Sequence, residues 1–351
     1  MILNNVRLIL ESEIVEDGFL QYDQDTIIAV GRNDSASNNV KKAKFTIVPG
    51  FIDIHVHPMD MALETVKTTL YSQGVTTFLA TTLTKELDVL KKELGRYARH
   101  IDETLWGIHL EGPFLNPLKA GGQDASNIVR ADNAVFLDLF QAAKEKIVWM
   151  TGAPECMGRA FLQQLPERVK VAAGHTDGDY KTFAYAKSLG INHLTHAFNA
   201  MRGVHHRETS FLHKALLDDQ FTIEVIADQE HVSLDMLELL YRLKKGKMIL
   251  VSDQLLGWRN EFDCPVYKND KGTIIGASQG LNSGFINMLG ITSDIVETVK
   301  MVSLYPAKLL GIDEQVGSLC KGKMADFLVL NDAFEIQAVY KRGQLVYGGI
   351  E

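Results

Sequence analysis

Four histidines and two carboxylates carry the chemistry that this chain offers, beginning with His55 and His57 in Pro49-Gly50-Phe51-Ile52-Asp53-Ile54-His55-Val56-His57-Pro58. In an extended segment alternate side chains share a face, so both imidazoles point one way while Ile52, Ile54 and Val56 pack. Pro58 and the polar turn behind it end the strand just past the pair. Two imidazoles on one face at a strand end make half of a metal site. A lone His-x-His pair decides nothing, and its weight comes from ligand-type residues downstream: Glu111, His175, His196 and Asp253.

The elements that must position them follow from length and pattern. At 351 residues the chain suits one large domain plus something small, since a parallel α/β barrel takes roughly 250 residues. Between the chain ends, apolar runs alternate with helix-length amphipathic stretches, the pattern of parallel βα units. Candidate strands are 51–57, 76–80, 106–110, 147–151, 169–173, 191–195, 221–227 and 248–251, which predict a (β/α)8 TIM-type barrel. In that fold reactive residues sit where strands end and loops begin. Glu111 follows the third strand, His175 the fifth, His196 the sixth and Asp253 the eighth, and with His55 and His57 they share one rim.

Short strands and turns over residues 1–48 and again over 316–351, including a hairpin around Lys341-Arg342-Gly343-Gln344, predict a small β-sandwich domain built from both chain ends. The barrel then spans 49–315. Residues 33–44 are polar and basic and read as a loop. A net charge of −8 gives no electrostatic footprint for nucleic acid or an anionic membrane. Residues 1–10 carry no signal-like pattern and no later apolar run approaches ~18 residues, so a soluble, cytoplasmic protein is expected. Cys156, Cys264 and Cys320 are widely spaced, without a Cys-x-x-Cys pair, so neither a disulfide framework nor a thiolate zinc site is indicated.

Along nearly its whole length the sequence resembles the N-acetylglucosamine-6-phosphate deacetylases of the amidohydrolase superfamily. The resemblance rests on Pro-Gly-Phe-Ile-Asp-Ile-His-Val-His (49–57), His-Leu-Glu-Gly-Pro-Phe (109–114), Gly-His-Thr (174–176), Thr-His-Ala-Phe-Asn-Ala-Met (195–201), Arg207-Glu208, Ile226-Ala227-Asp228 with His231, Val-Ser-Asp (251–253) and Tyr-Pro-Ala-Lys-Leu-Leu-Gly (305–311). Many binuclear amidohydrolases bridge their ions with a carboxylated lysine at the end of strand four. Residues 147–155 offer no lysine at that place, and Glu111 takes the bridging role by resemblance. It further implies one ion on Glu111, His175 and His196, and a second on His55 and His57 sharing Glu111 and Asp253. One or two ions per subunit remain open, as does their identity among zinc, iron, manganese and cobalt, with zinc the default.

The implied activity is hydrolysis of the N-acetyl group of an N-acetylhexosamine 6-phosphate to acetate and the amino sugar 6-phosphate. A bound divalent ion brings a water pKa down to about 7 and polarises the acetyl carbonyl. Asp253 then serves as general base and acid. Arg207 is the phosphate candidate, because a guanidinium binds phosphate oxygens bidentately. Asn199, Ala200 and His231 match substrate-contacting positions, Ile274, Ile275 and Gly276 fall in a stretch that lines the sugar site, and Gln123 replaces a histidine that polarises the carbonyl in some relatives. A homodimer is implied as well.

Departures from the family pattern, at Thr209-Ser210-Phe211, Glu230, 254–258 and 277–280, touch the sugar-binding loops and leave the metal set intact. N-Acetylgalactosamine 6-phosphate is the close alternative substrate. A cyclic-amide or dipeptide hydrolase on the same barrel, and a non-catalytic scaffold, are the other readings; the absent lysine with Arg207 opposes the former and the complete ligand set opposes the latter. His100, His205, His206 and His213 read as surface or loop residues, and His109 as a support behind the ligands or a structural residue.

Overall fold

The computed structural model describes residues 1–33, 44–258 and 264–349. All but the ends of the expected 33–44 loop lies outside the described residues. From the amino terminus come β1 (Ile2–Ile9), β2 (Ile14–Asp23), β3 (Thr26–Arg32) and β4 (Thr46–Pro49). Strands and helices then alternate: β5 (Phe51–His57), α1 (Leu63–Ser72), β6 (Val75–Thr81), α2 (Leu87–Ala98), β7 (Leu105–Glu111), α3 (Asn133–Ala142), β8 (Ile147–Gly152) and α4 (Arg159–Gln163). The alternation continues with β9 (Lys170–Ala173), α5 (Tyr180–Ser188), β10 (His193–Leu194), α6 (Phe211–Leu217), β11 (Thr222–Ile226), α7 (Leu234–Lys244) and β12 (Met248–Val251). Short strands β13 (Gln254–Leu255), β14 (Val266–Lys268) and β15 (Ile274–Ala277) follow. Helices α8 (Leu281–Thr292), α9 (Ile295–Val302) and α10 (Leu304–Leu310) lead to β16 (Phe327–Leu330), β17 (Ile336–Lys341) and β18 (Gln344–Gly348).

The chain divides into two compact units, Met1–Asp53 with Glu64–Thr77 and Gly280–Glu351, and Ile54–Leu63 with Phe78–Gln279. In the first, seven strands from the two chain ends form one sheet in the order β18-β17-β16-β4-β1-β2-β3. Tyr22 on β2 lies three places from β16 in that order, yet its ring meets Phe327 at 5.4 Å. The sheet therefore folds over on itself as a sandwich, around Val6, Leu8, Leu20, Ile47, Phe327 and Val329. The β17–β18 hairpin turns at Arg342 and Gly343, both at positive φ, as a two-residue hairpin turn requires.

The second unit holds the chemistry. The expected barrel strands are those observed, with the sixth reduced to His193–Leu194. They run in the order β12-β11-β10-β9-β8-β7-β6-β5-β13-β15-β14, and two strands of that sheet, β12 and β13, are pieces of a single stretch of chain. β12 pairs with β11, and β13, only two residues further on, pairs with β5 through Gln254 opposite Val56. That double pairing closes the barrel, with Ser252 and Asp253 at the seam. The strands read as near-continuous apolar runs because both faces of a parallel sheet are covered. A polar side chain inside them consequently needs a local partner. Gly174, at the end of β9, meets a similar constraint: a Cβ there would lie 2.5 Å from Thr151 and 3.0 Å from Thr195.

Candidate metal centre

His55 and His57 point to one face of β5, as the alternation predicts, with ring centroids 5.3 Å apart. Glu111, the last residue of β7, lies at the centre. Its Oε1 is 3.4 Å from His55 Nε2, 3.2 Å from His175 Nε2 and 3.0 Å from His196 Nε2, and its Oε2 is 3.7 Å from His57 Nε2. Asp253 Oδ1 stands 3.0 Å from His57 Nε2 and 3.5 Å from His55 Nε2. His175, His196 and Asp253 all sit at positive φ, at 48°, 26° and 50°. Non-glycine residues held there cost of order 1 kcal/mol each and cluster where function over-determines geometry.

Hydrogen-bond logic shows what this cluster lacks. His175 Nδ1 faces the Lys119 carbonyl at 2.9 Å and His55 Nδ1 faces the Glu224 carboxylate at 3.1 Å. Both partners only accept, so both Nδ1 atoms carry hydrogen and, in the neutral rings, each Nε2 offers a lone pair. Those lone pairs are aimed at oxygens of Glu111, acceptor against acceptor, in a buried site. A cation between them turns repulsion into coordination. His55, His57 and Glu111 form one donor group able to hold a metal ion, and Glu111, His175 and His196 form another. Without an ion the alternative is protonation of the rings: burial opposes ionisation of Glu111, but a charged His55 and hydrogen bonds donated by His175 and His196 then outweigh it and hold the carboxyl well below its usual range.

A cavity of about 240 Å³ opens on this cluster, lined by His57, Glu111, His175, His196, His231 and Asp253 on the ionisable side. Gln123, Asn199, Ala200, Ile274, Ile275 and Gly276, all expected from the sequence, line it as well. Gly122 packs against β15 so closely that a Cβ would lie 2.7 Å from Ile275 Cα, which joins the two walls. Gln123 is oriented by the Thr84 amide donating to its Oε1 at 2.6 Å, so its Nε2 donates to Glu111 Oε2 at 2.6 Å. The side chain thus holds the central carboxylate. His231 donates from Nδ1 to Asp228 at 2.6 Å, and its Nε2 lies 4.0 Å from Asp253. Burial opposes the imidazolium of His231, while Asp228 and Asp253 outweigh it and raise the pKa.

Arg207 is exposed, and among the described residues lining the cavity there is no lysine or arginine. Glu230 is also exposed and outside that lining. His205 and His206 are exposed, and His213 completes the capping box of α6 with Ser210. His109 is buried behind the cluster, donating from Nδ1 to the Ile54 carbonyl at 3.0 Å and paired through Nε2 with Thr151 at 2.8 Å. Burial and the neighbouring His55 push its pKa down to about 3. Two residues escaped the sequence reading: Glu224 on β11 and His193 on β10, 3.0 Å apart and fully buried. The available signal was a carboxylate in the middle of an apolar strand.

Residues 46–346 match the amidohydrolase family. The chain is 30% identical to the N-acetylglucosamine-6-phosphate deacetylase of Bacillus subtilis strain 168, over 99% of its own length and 97% of the relative's. It is 27% identical to the N-acetylgalactosamine-6-phosphate deacetylase of Escherichia coli O157:H7, over 95% of its own length and 97% of that protein's. The crystal structure of N-acetylglucosamine-6-phosphate deacetylase from Thermotoga maritima superposes with a TM-score of 0.90 at 26% identity, covering 99% of this chain and all (100%) of the other.

Proposed function

The chain belongs to the amidohydrolase family, on its branch of N-acetylglucosamine-6-phosphate deacetylases, and from that premise we propose that it hydrolyses the N-acetyl group of N-acetylglucosamine 6-phosphate. The observation that carries the reading is Glu111 Oε1 within 3.4 Å of the Nε2 atoms of His55, His175 and His196, at the base of a cavity that Asp253 also lines. Glu111, His175 and His196 would hold one divalent ion, and His55 and His57 with Glu111 and Asp253 a second. When bound, such a cation polarises the acetyl carbonyl and lowers the pKa of water.

The remaining work falls to side chains. Asp253 is the proton carrier: its side chain is 14% exposed where Glu111 is 2% exposed, so of the two carboxylates it is the one that water and substrate reach. It takes a proton from the attacking water as the new C–O bond forms, and returns one to the sugar nitrogen as the C–N bond breaks. Gln123 keeps Glu111 in place. His231, whose pKa is raised by Asp228 and Asp253 against the opposing effect of burial, turns its imidazole to a cavity without lysine or arginine among its described lining. Asn199, Ala200 and Ile274 to Gly276 face the sugar, and Arg207 meets the phosphate from outside the enclosed part of the cavity.

The 27% identity to a galactosamine-specific relative supports the epimer as a second reading of the same site. No helix among the described residues is long and apolar enough to cross a membrane. Zinc as the ion, a cytoplasmic location and a homodimer complete the proposal, the last checked by light scattering. The main test measures acetate release by metal-reconstituted protein from N-acetylglucosamine 6-phosphate, its galactosamine epimer and unphosphorylated N-acetylglucosamine. Release confined to phosphorylated sugars is expected, and the epimer ratio names the substrate. No release from any of them, with ion bound, overturns the assignment.

A further inference from the structure

Glu224 sits in the middle of β11 between Ile223 and Val225, with no exposure to solvent and no place in the cavity lining. A carboxylate in such surroundings costs several kcal/mol unless its oxygens are satisfied. Here they are: Oε2 faces His55 Nδ1 at 3.1 Å and the His196 amide at 3.4 Å, and Oε1 faces His193 Nε2 at 3.0 Å. His193 is itself held, with Nδ1 2.6 Å from the Thr222 hydroxyl and its ring edge-on to Trp149 at 5.1 Å. The carboxylate therefore has no room to swing.

We propose that Glu224 is a positioning residue that fixes the tautomer and ring plane of His55, keeping its Nε2 lone pair turned toward Glu111 and Asp253. This rests on the metal-site reading above. Without an acceptor at Nδ1, His55 gains most by moving its hydrogen to Nε2 and donating to Glu111 Oε1, 3.4 Å away. The cluster would then satisfy itself as a hydrogen-bond network and lose a donor atom for the ion. His175 receives the same service from a neutral carbonyl, that of Lys119. His55 is served by a full negative charge, which also strengthens the ring as a donor to a cation.

The test uses the full-length chain stripped with chelator, with Co²⁺ as the probe. Glu224→Met, close in shape and without an acceptor, is expected to weaken cobalt binding at the His55–His57–Glu111 group by about 10–100-fold, leaving the Glu111–His175–His196 ion in place. Glu224→Gln, whose amide oxygen still accepts from His55 Nδ1, is expected to recover most of the loss. Wild-type affinity in a folded Met variant overturns the proposal, as does a Gln variant no better than Met. Should the Met variant fail to fold, ¹⁵N NMR of histidine-labelled wild-type protein without metal decides directly. Read at a pH where the His55 ring is neutral, a hydrogen on Nδ1 supports the proposal and one on Nε2 overturns it. If the wild type binds no cobalt while His55 carries its hydrogen on Nδ1, the metal reading fails and the tautomer assignment stands.

Discussion

At the base of the cavity Glu111, His55, His175 and His196 are buried, and Glu111 has a neighbour on each oxygen within 3.4 Å; at the outer wall Asn199, Ala200 and Ile274 to Gly276 are smaller or only partly buried, and Arg207 is exposed. The base is over-determined: strand ends, left-handed backbone at His175 and His196 and hydrogen bonds behind the rings all specify one arrangement. The wall is not, and its fixed contributions are mostly backbone. Reaction chemistry is thereby tied to the barrel, while the substrate is read by parts that a few loop substitutions can change.

The largest effect should come from the base. Glu111→Gln removes the shared charge of both donor groups, and the expected outcome is loss of bound ion by metal analysis together with loss of acetate release. Asp253→Asn separates ion binding from proton transfer. Its kcat should fall about 10²–10⁴-fold with metal content retained, and near-normal turnover would remove Asp253 as the proton carrier. Outside the wall, Arg207→Ala is expected to raise KM for the phosphorylated sugar about 10–100-fold, the scale of a lost charge-assisted hydrogen-bond pair. Its kcat should stay nearly unchanged, and equal losses in kcat and kcat/KM would move Arg207 into the reacting centre.

Behind the base, His109 gives a pH signature. Its pKa is about 3 folded against 6.5 for an unperturbed imidazole. Between those values the unfolded chain holds the extra proton, so this residue makes stability fall as pH drops from 6.5 towards 3, by up to about 1.4 kcal/mol per unit. Urea midpoints at pH 7 and 5 in chelator should therefore shift less in His109→Gln than in wild type. Smallest of all, Glu230→Gln, exposed and outside the cavity lining, should change KM by less than about threefold, the range of a solvent-screened charge.

The same contrast explains what the sequence discloses. His55, His57, Glu111, His175, His196 and Asp253 were legible because a parallel barrel puts reactive residues at strand ends, and each follows a recognisable apolar run. The sandwich from the two chain ends was legible through alternation and the Arg342-Gly343 hairpin. Glu224 was not, because its meaning lies in a partner 169 residues away, and no local pattern marks that pairing. Gln123 was assigned to the substrate carbonyl, and only the structure shows its amide locked between Thr84 and Glu111. Arg207 was legible as a residue type, whereas its exposed setting depends on a loop path that periodicity does not describe.

The most direct measurement titrates Zn²⁺ into chelator-stripped protein while following both bound ion and acetate release from N-acetylglucosamine 6-phosphate. Activity should rise from background in proportion to ion bound and reach its plateau at one or two ions per chain. Full turnover before any ion is added, or none at saturation from either phosphorylated epimer, would contradict the account.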